Sequence, residues 1–386
     1  EINIPTPKEG GPFSISIKGY NEIVLKNILI GEVWICSGQS NMEMNASWGI
    51  DNGDEAIKNA TNPNIRFFTV PKLTATTPQN NLFGNWTECT PETMKYFSSV
   101  GYFFAKRLQE DLKNVPIGLI SSNWGGTPAE IWMPEEVIQN DVVLLEAAKT
   151  RREETYGPNQ PGRAFNAMIY PLTGFKIAGV LWYQGESNVG STVYDRTFSA
   201  LITSWRKLWK SDFPFYFVQI APYKYGENHF GGAIIRDAQR KVLQEVSNTG
   251  MVVTSDISPI DDIHPKDKKS VGTRLANLAL ANTYKSNTAL VNGPLYKGMN
   301  IDKNKVVVSF DFAEGLHFSN TKSNQFEIAG ADGIFYEAVA SIKKNNVILQ
   351  SDKIRNPVKV RYSWKNTDQS NLFNKANLPA SSFITK

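Results

Sequence analysis

Four short polar segments carry residue types that suit acyl transfer, and each follows an apolar run. The first is Ser37-Gly38-Gln39-Ser40-Asn41-Met42. An apolar stretch ends at Ser37, Gly38 permits a tight turn, and Ser40 stands where a strand would present a nucleophile. The nucleophile elbow of α/β-hydrolases is absent, since it needs Gly at position 42. A plainer reading makes Ser40 the cap of a following helix. The second segment is Asp261-Asp262-Ile263-His264-Pro265. A serine needs a base to take its proton, and a histidine base needs an acceptor on its other nitrogen. Asp261, three residues before His264, can fold back onto Nδ1 in a turn and leave Nε2 facing outward. Pro265 disfavours helix at His264 and so supports a loop. Asp262 is the adjacent alternative acceptor, and an acidic surface turn is the plain one. The third segment, Ser121-Ser122-Asn123-Trp124-Gly125-Gly126-Thr127, offers glycine N–H groups to an oxyanion. The fourth, Trp182-Tyr183-Gln184-Gly185-Glu186-Ser187-Asn188, offers the Asn188 amide to the same charge. A simple turn and a polar loop are the competing readings of these two. Together the four supply a nucleophile, a base with an orienter, and two kinds of oxyanion donor.

Such residues act only if a scaffold gathers them. Apolar runs predict strands at Val33–Ser37, Ile65–Val70, Ile117–Ser121, Gly179–Tyr183, Phe215–Ile220 and Met251–Thr254. Helical spacing predicts helices at Ser98–Lys113, Arg196–Trp209, Ala233–Val246 and Lys268–Tyr284. Alternation of this kind gives an α/β domain with a mainly parallel sheet, whose chemistry lies at the C-terminal ends of the strands. Alternating residues around Gly19-Tyr20-Asn21 predict an N-terminal β-hairpin, a remnant that must pack on something. From residue 290 onward helical periodicity gives way to short β-type runs such as Val306–Phe312, Gln325–Ile328, Val339–Ile342, Val347–Leu349 and Val358–Tyr362. The expected organisation is an N-terminal β segment at 1–30, a catalytic α/β domain at 31–288 and a β-rich domain at 289–386.

Composition narrows the classes. The 386 residues are 41% apolar and 20% charged, the balance of an ordinary globular protein. Lys and Arg total 41 against 37 Asp and Glu, a net charge of +4 with no clustered basic stripe, which speaks against a nucleic-acid partner. No apolar run approaches the ~18 residues of a membrane span. Cys36 lies in an apolar run and reads as a buried small hydrophobe in preference to a Cys36–Cys89 disulfide. His229, His264 and His317 lie far apart and form no zinc motif, so no metal is expected. The opening Glu1-Ile2-Asn3-Ile4-Pro5 reads as the middle of a chain, as after removal of a signal peptide or trimming. Sequons at Asn45, Asn59 and Asn85 add nothing, because the pattern arises by chance in Asn-rich chains.

The four segments resemble blocks I, II, III and V of the SGNH hydrolases, and more closely the sialate O-acetylesterase-like carbohydrate esterases. The resemblance is carried by Gly31-Glu32-Val33-Trp34-Ile35-Cys36-Ser37-Gly38-Gln39-Ser40-Asn41-Met42, by Trp124-Gly125-Gly126-Thr127, and by the segments ending at Asn188 and Pro265. It extends through Phe165-Asn166-Ala167-Met168, Gly293-Pro294-Leu295-Tyr296, Arg361-Tyr362-Ser363-Trp364 and Asn371-Leu372-Phe373-Asn374, nearly the whole chain. It implies a flavodoxin-like three-layer α/β/α fold with a C-terminal antiparallel β-domain. It implies Ser40 as nucleophile, His264 as base and Asp261 as orienting acid. The oxyanion donors would be the Ser40 N–H, a Gly125 or Gly126 N–H, and the Asn188 side chain. The third block departs from the usual Gly-x-Asn spacing, since Gly185 and Asn188 are separated by Glu186 and Ser187. Gln39, Arg163, Asn166, Gln184 and Glu186 are the candidate substrate contacts, with Arg163 the cation for a sialic acid carboxylate. Trp124, Trp182 and Tyr183 either stack on sugar or belong to the core. The implied activity is cofactor-free removal of O-acetyl groups from sugar, sialic acid first, with xylan or another polysaccharide as the rival substrate. A carbohydrate-binding protein that lost catalysis is the rival of another class. A glycan substrate implies a periplasmic or extracellular location.

Overall fold

An antiparallel hairpin, β1 (Gly10–Lys18) and β2 (Glu22–Ile30), leads the chain into its main sheet. The structure is a computed structural model describing residues 5–113, 115–151, 155–226, 230–286, 289–319 and 325–385. The chain opening at 1–4, His229, and the expected domain end at 288 lie outside the described residues. The main sheet holds β3 (Glu32–Gly38), β4 (Asn62–Thr69), β5 (Trp86–Cys89), β6 (Ile117–Asn123), β7 (Gly179–Tyr183), β8 (Phe215–Val218) and β9 (Thr249–Val252). Their spatial order is β5-β4-β6-β3-β7-β8-β9, parallel throughout except for β5, which runs antiparallel along β4. The chain passes from β3 to one side of the sheet, then returns to build the other side from β7. That reversal opens a crevice beyond the carboxyl ends of β6, β3 and β7, where open α/β sheets bind their ligands.

Strands covered on both faces read as unbroken apolar runs, and period two divides their side chains between two cores. Trp34 and Cys36 point into one core with Phe104 and Leu108 of the helix Ser99–Leu112 and Leu275 of the helix Lys268–Asn282. Ile35 points into the other, with Phe198 and Trp205 of the helix Tyr194–Trp209 and Ile235 of the helix Gly231–Glu245. The result is a three-layer α/β/α arrangement. Cys36 and Cys89 are both buried and free of disulfide. The hairpin is tied to the antiparallel edge of the sheet. Asn27 donates to Glu88 Oε1 at 3.0 Å and accepts from Arg66 at 2.9 Å.

Beyond residue 290, two four-stranded antiparallel sheets enclose a separate core that includes Val306, Phe326, Val347, Val360 and Phe383. Leu295–Asp302 is an edge strand that the sequence does not announce, because Lys297, Gly298 and Asn300 interrupt its alternation. Arg236, fully buried on the helix Gly231–Glu245, joins this region to the α/β layers. Its guanidinium donates to Ser382 Oγ at 3.0 Å and to the carbonyls of Lys365 and Asn366 at 2.6 and 3.2 Å.

Candidate active site

Ser40 owes its position to Gly38. There φ is +130°, and a Cβ would lie 2.2 Å from the carbonyl oxygen of Tyr183 on β7. Only glycine tolerates both conditions. The chain therefore leaves β3 against β7, Gln39 N–H donates to Tyr183 O at 3.0 Å, and the short helix Ser40–Glu43 begins. His264 arrives from the loop after β9, and its Nε2 lies 2.9 Å from Ser40 Oγ. Asp262 shapes that loop by accepting the His264 backbone N–H at 2.8 Å. The Trp48 ring stands edge-on to the imidazole, centroids 6.1 Å apart. The His264 pKa is lowered from the ordinary histidine value. Burial is the largest cause, the Lys268 charge adds to it, and Asp262 opposes it. The neutral imidazole that can accept a serine proton is thus the favoured form.

The other expected site residues divide into those near this pair and those away from it. Asp261 is exposed, and among the described residues none accepts a hydrogen bond from His264 Nδ1. The Ser40 and Gly126 N–H groups have no partner among the described residues, whereas Gly125 N–H donates to Glu43 Oε2 at 2.7 Å. Gln39 lines the cleft, and its Oε1 accepts from Ser187 N–H at 3.1 Å. Glu186 also borders the cleft but is only 8% exposed. It accepts from Asn41 Nδ2 at 2.6 Å, and burial raises its pKa.

Asn188 is turned away. Its NH₂ donates to both oxygens of buried Glu130 at 3.1 and 2.9 Å, and its Oδ1 accepts from Ala129 N–H and Gln184 Nε2. A buried carboxylate demands donors, and this one occupies the amide expected at the oxyanion. Gln184 is fully buried, bonded to Asn188, the Thr127 carbonyl and Tyr194. Asn166 donates to the Ala75 carbonyl at 3.1 Å, away from the cleft. Arg163 lines a neighbouring hollow, near Gln160 at 3.2 Å and Glu135 at 3.8 Å. Trp182 and Tyr183 are core residues, while Trp124 does line the cleft.

The cleft over Ser40 has a volume of about 990 Å³. Sequence reasoning missed Glu43, Trp48, Lys72, Arg151 and Tyr156 in its wall. Glu43 was discoverable, because three residues along a helix place it on the Ser40 side. Lys72, Arg151 and Tyr156 come from irregular segments with no local signal. Among the described residues, the two cations in the wall have carboxylate partners: Lys72 meets Glu43 at 2.6 Å and Arg151 approaches Glu130 at 3.7 Å.

Comparison with known proteins adds independent findings. The family model described as "Carbohydrate esterase, sialic acid-specific acetylesterase" matches residues 30–281. The chain is 30% identical over 355 residues to the sialate O-acetylesterase of Homo sapiens, covering 83% of this chain and 68% of the relative. It is 29% identical over 395 residues to that of Pongo abelii, covering 92% and 75%. Among solved structures, one described as a novel carbohydrate acetylesterase from Xanthomonas citri superposes with a TM-score of 0.90 at 35% identity, covering 100% of this chain and 88% of that one.

Proposed function

The chain belongs to the sialic acid-specific acetylesterase family of carbohydrate esterases, and on that premise we propose a two-step acyl transfer at Ser40 that releases acetate from O-acetylated sialic acid. The protein is a carboxylic ester hydrolase acting on acetylated carbohydrate. The observation that carries the assignment of residues is the 2.9 Å contact between His264 Nε2 and Ser40 Oγ beneath an open cleft. Ser40 Oγ attacks the acetyl carbonyl carbon while His264 Nε2 takes its proton. The N–H groups of Ser40 and Gly126 supply the oxyanion with donors. Protonated His264 returns the proton to the sugar oxygen as the C–O bond breaks. Water, deprotonated by the same nitrogen, then splits the acetyl-enzyme.

The pH profile follows from this role. Activity requires neutral His264, so kcat/KM rises with pH through the His264 pKa. Burial and Lys268 lower that pKa, so the acid limb is expected below the ~6.5 of an unperturbed histidine. A limb centred clearly above that value would contradict His264 as the base.

The orienting acid lies in the Asp261-Asp262 pair. Asp262→Ala takes the acceptor from the His264 N–H and is expected to lower kcat/KM by roughly 10-fold or more. Asp261→Ala is expected to match it only if Asp261 swings onto Nδ1 when substrate binds. Paired kinetics of the two variants decide which carboxylate supports the base.

A neutral acetylated polysaccharide is the second reading. It is supported by the pairing of Lys72 and Arg151, the cleft cations among the described residues, with carboxylates and by the likeness to a carbohydrate acetylesterase over the whole of this chain. Initial rates on O-acetylated sialic acid and on acetylated xylan separate the two sugars. A glycan substrate supports a periplasmic or extracellular location. Among the described residues no helix is long and apolar enough to cross a membrane.

A further inference from the structure

Beneath Ser40 and His264 lies a buried polar chain whose groups take no part in the proton and acetyl transfers themselves. Lys268 is 0% exposed, and its Nζ donates to Asn41 Oδ1 at 2.6 Å. Its ammonium also stands 5.2 Å from the centre of the Tyr183 ring on β7. Asn41 is likewise fully buried, and its Nδ2 donates to Glu186 Oε1 at 2.6 Å and to the Ile263 carbonyl at 2.9 Å. Asn41 therefore ties the residue beside the nucleophile to the residue beside the base. Glu186 Oε2 is buried without a hydrogen-bond partner among the described residues, so Lys268 is the nearby cation available to compensate that carboxylate.

We propose that Lys268 is a positioning residue for the reaction: through Asn41 it fixes the Ile263–His264 segment onto Ser40, and its buried ammonium opposes a second positive charge on His264. The inference rests on the reading of Ser40 and His264 as the reacting pair. Geometry accounts for the first part. Hydrogen bonds at both ends hold the Asn41 amide in one orientation: Lys268 engages the oxygen while Glu186 and Ile263 engage the nitrogen. Electrostatics accounts for the second. The charges that act on His264 most strongly are Lys268 and Asp262; Asp261 stands on the same loop, and Glu43, Lys72, Arg151 and Glu186 line the cleft beside it. Those around Lys268 are Glu186, Asp262 and Asp267. Burial pushes the Lys268 pKa down to about 7, so it carries its charge over the acidic range in which His264 would otherwise protonate.

The test compares wild type, Lys268→Met, Lys268→Gln and Ser40→Ala on p-nitrophenyl acetate, with kcat/KM measured against pH. Lys268→Gln keeps a donor for Asn41 without the charge, and it carries the test if Lys268→Met fails to fold. Loss of the ammonium raises the His264 pKa, so the acid limb of both lysine variants is expected to move up by roughly half a pH unit or more. At alkaline pH His264 is neutral in every variant, and Lys268→Met is expected to retain a loss of about 3-fold or more that Lys268→Gln partly recovers, because only the latter holds Asn41. A folded variant whose acid limb stays at the wild-type position overturns the electrostatic role. Equal alkaline activity in wild type and Lys268→Met overturns the positioning role. Turnover by Ser40→Ala would overturn the underlying reading, an outcome distinct from either.

Discussion

Ser40→Ala is expected to lower ester hydrolysis by roughly 10⁴-fold or more while the protein stays folded. The effect is large because the hydroxyl supplies the atom that bonds to the acetyl carbon, and it is the hydroxyl that contacts His264 Nε2. Cys36 is buried in the core, and Ser37 is fully buried within β3. The effect on folding is small because Ser40 is part-exposed and, among the described residues, its hydroxyl makes one hydrogen bond, to His264 at 2.9 Å. Circular dichroism and a denaturant melt verify the fold, and acetate release measures the reaction. A folded Ala variant that turns over at more than about a hundredth of the wild-type rate would remove Ser40 from the nucleophile's role.

Gly38→Ala is expected to damage the site and the fold together. The residue sits at φ +130°, a backbone region that L side chains rarely occupy, and the new Cβ would press on the Tyr183 carbonyl at 2.2 Å. That carbonyl cannot retreat freely, because Tyr183 is paired with Gly38 across β3 and β7 and with Val218 on β8. A loss of about 3 kcal/mol or more in urea unfolding is expected, with turnover falling as the Ser40 turn shifts. Wild-type stability and turnover in Gly38→Ala would show that the turn is not what places Ser40.

Much of this architecture was legible in the residues. β7 was expected at Gly179–Tyr183 and stands there, because a strand buried on both faces leaves an unbroken apolar run. The helix Ser99–Leu112 was expected one residue longer at each end, where Ser98 caps and Lys113 turns away. β5 escaped notice because it is four residues long and mostly exposed at an edge, so it has neither length nor pattern. The same division holds at the site. Ser40 and His264 each stand in a local motif, and the fold brings them within a hydrogen bond. Asn188 also stands in a motif, but its orientation is set by Glu130, which lies 58 residues away in a segment with no signature. The Asp261 reading rested on reach along the chain, which does not reveal that Asp262 turns its carboxylate onto the loop. Lys268 in a first helical turn reads as a solvated charge. Only the packing of that helix against β8, β9 and the helix Ser99–Leu112 reveals that it is buried under the site.

The most direct test of acyl transfer at Ser40 is peptide mass mapping of the wild-type enzyme, quenched in acid within the first turnovers on p-nitrophenyl acetate. Acid protonates His264 and halts deacylation, so an acetyl group is expected on the peptide that carries Ser40 and absent from the same peptide of Ser40→Ala. Acetylation at a different residue, or continued acetate release with no acetylated peptide at any quench time, would contradict a Ser40 acetyl-enzyme.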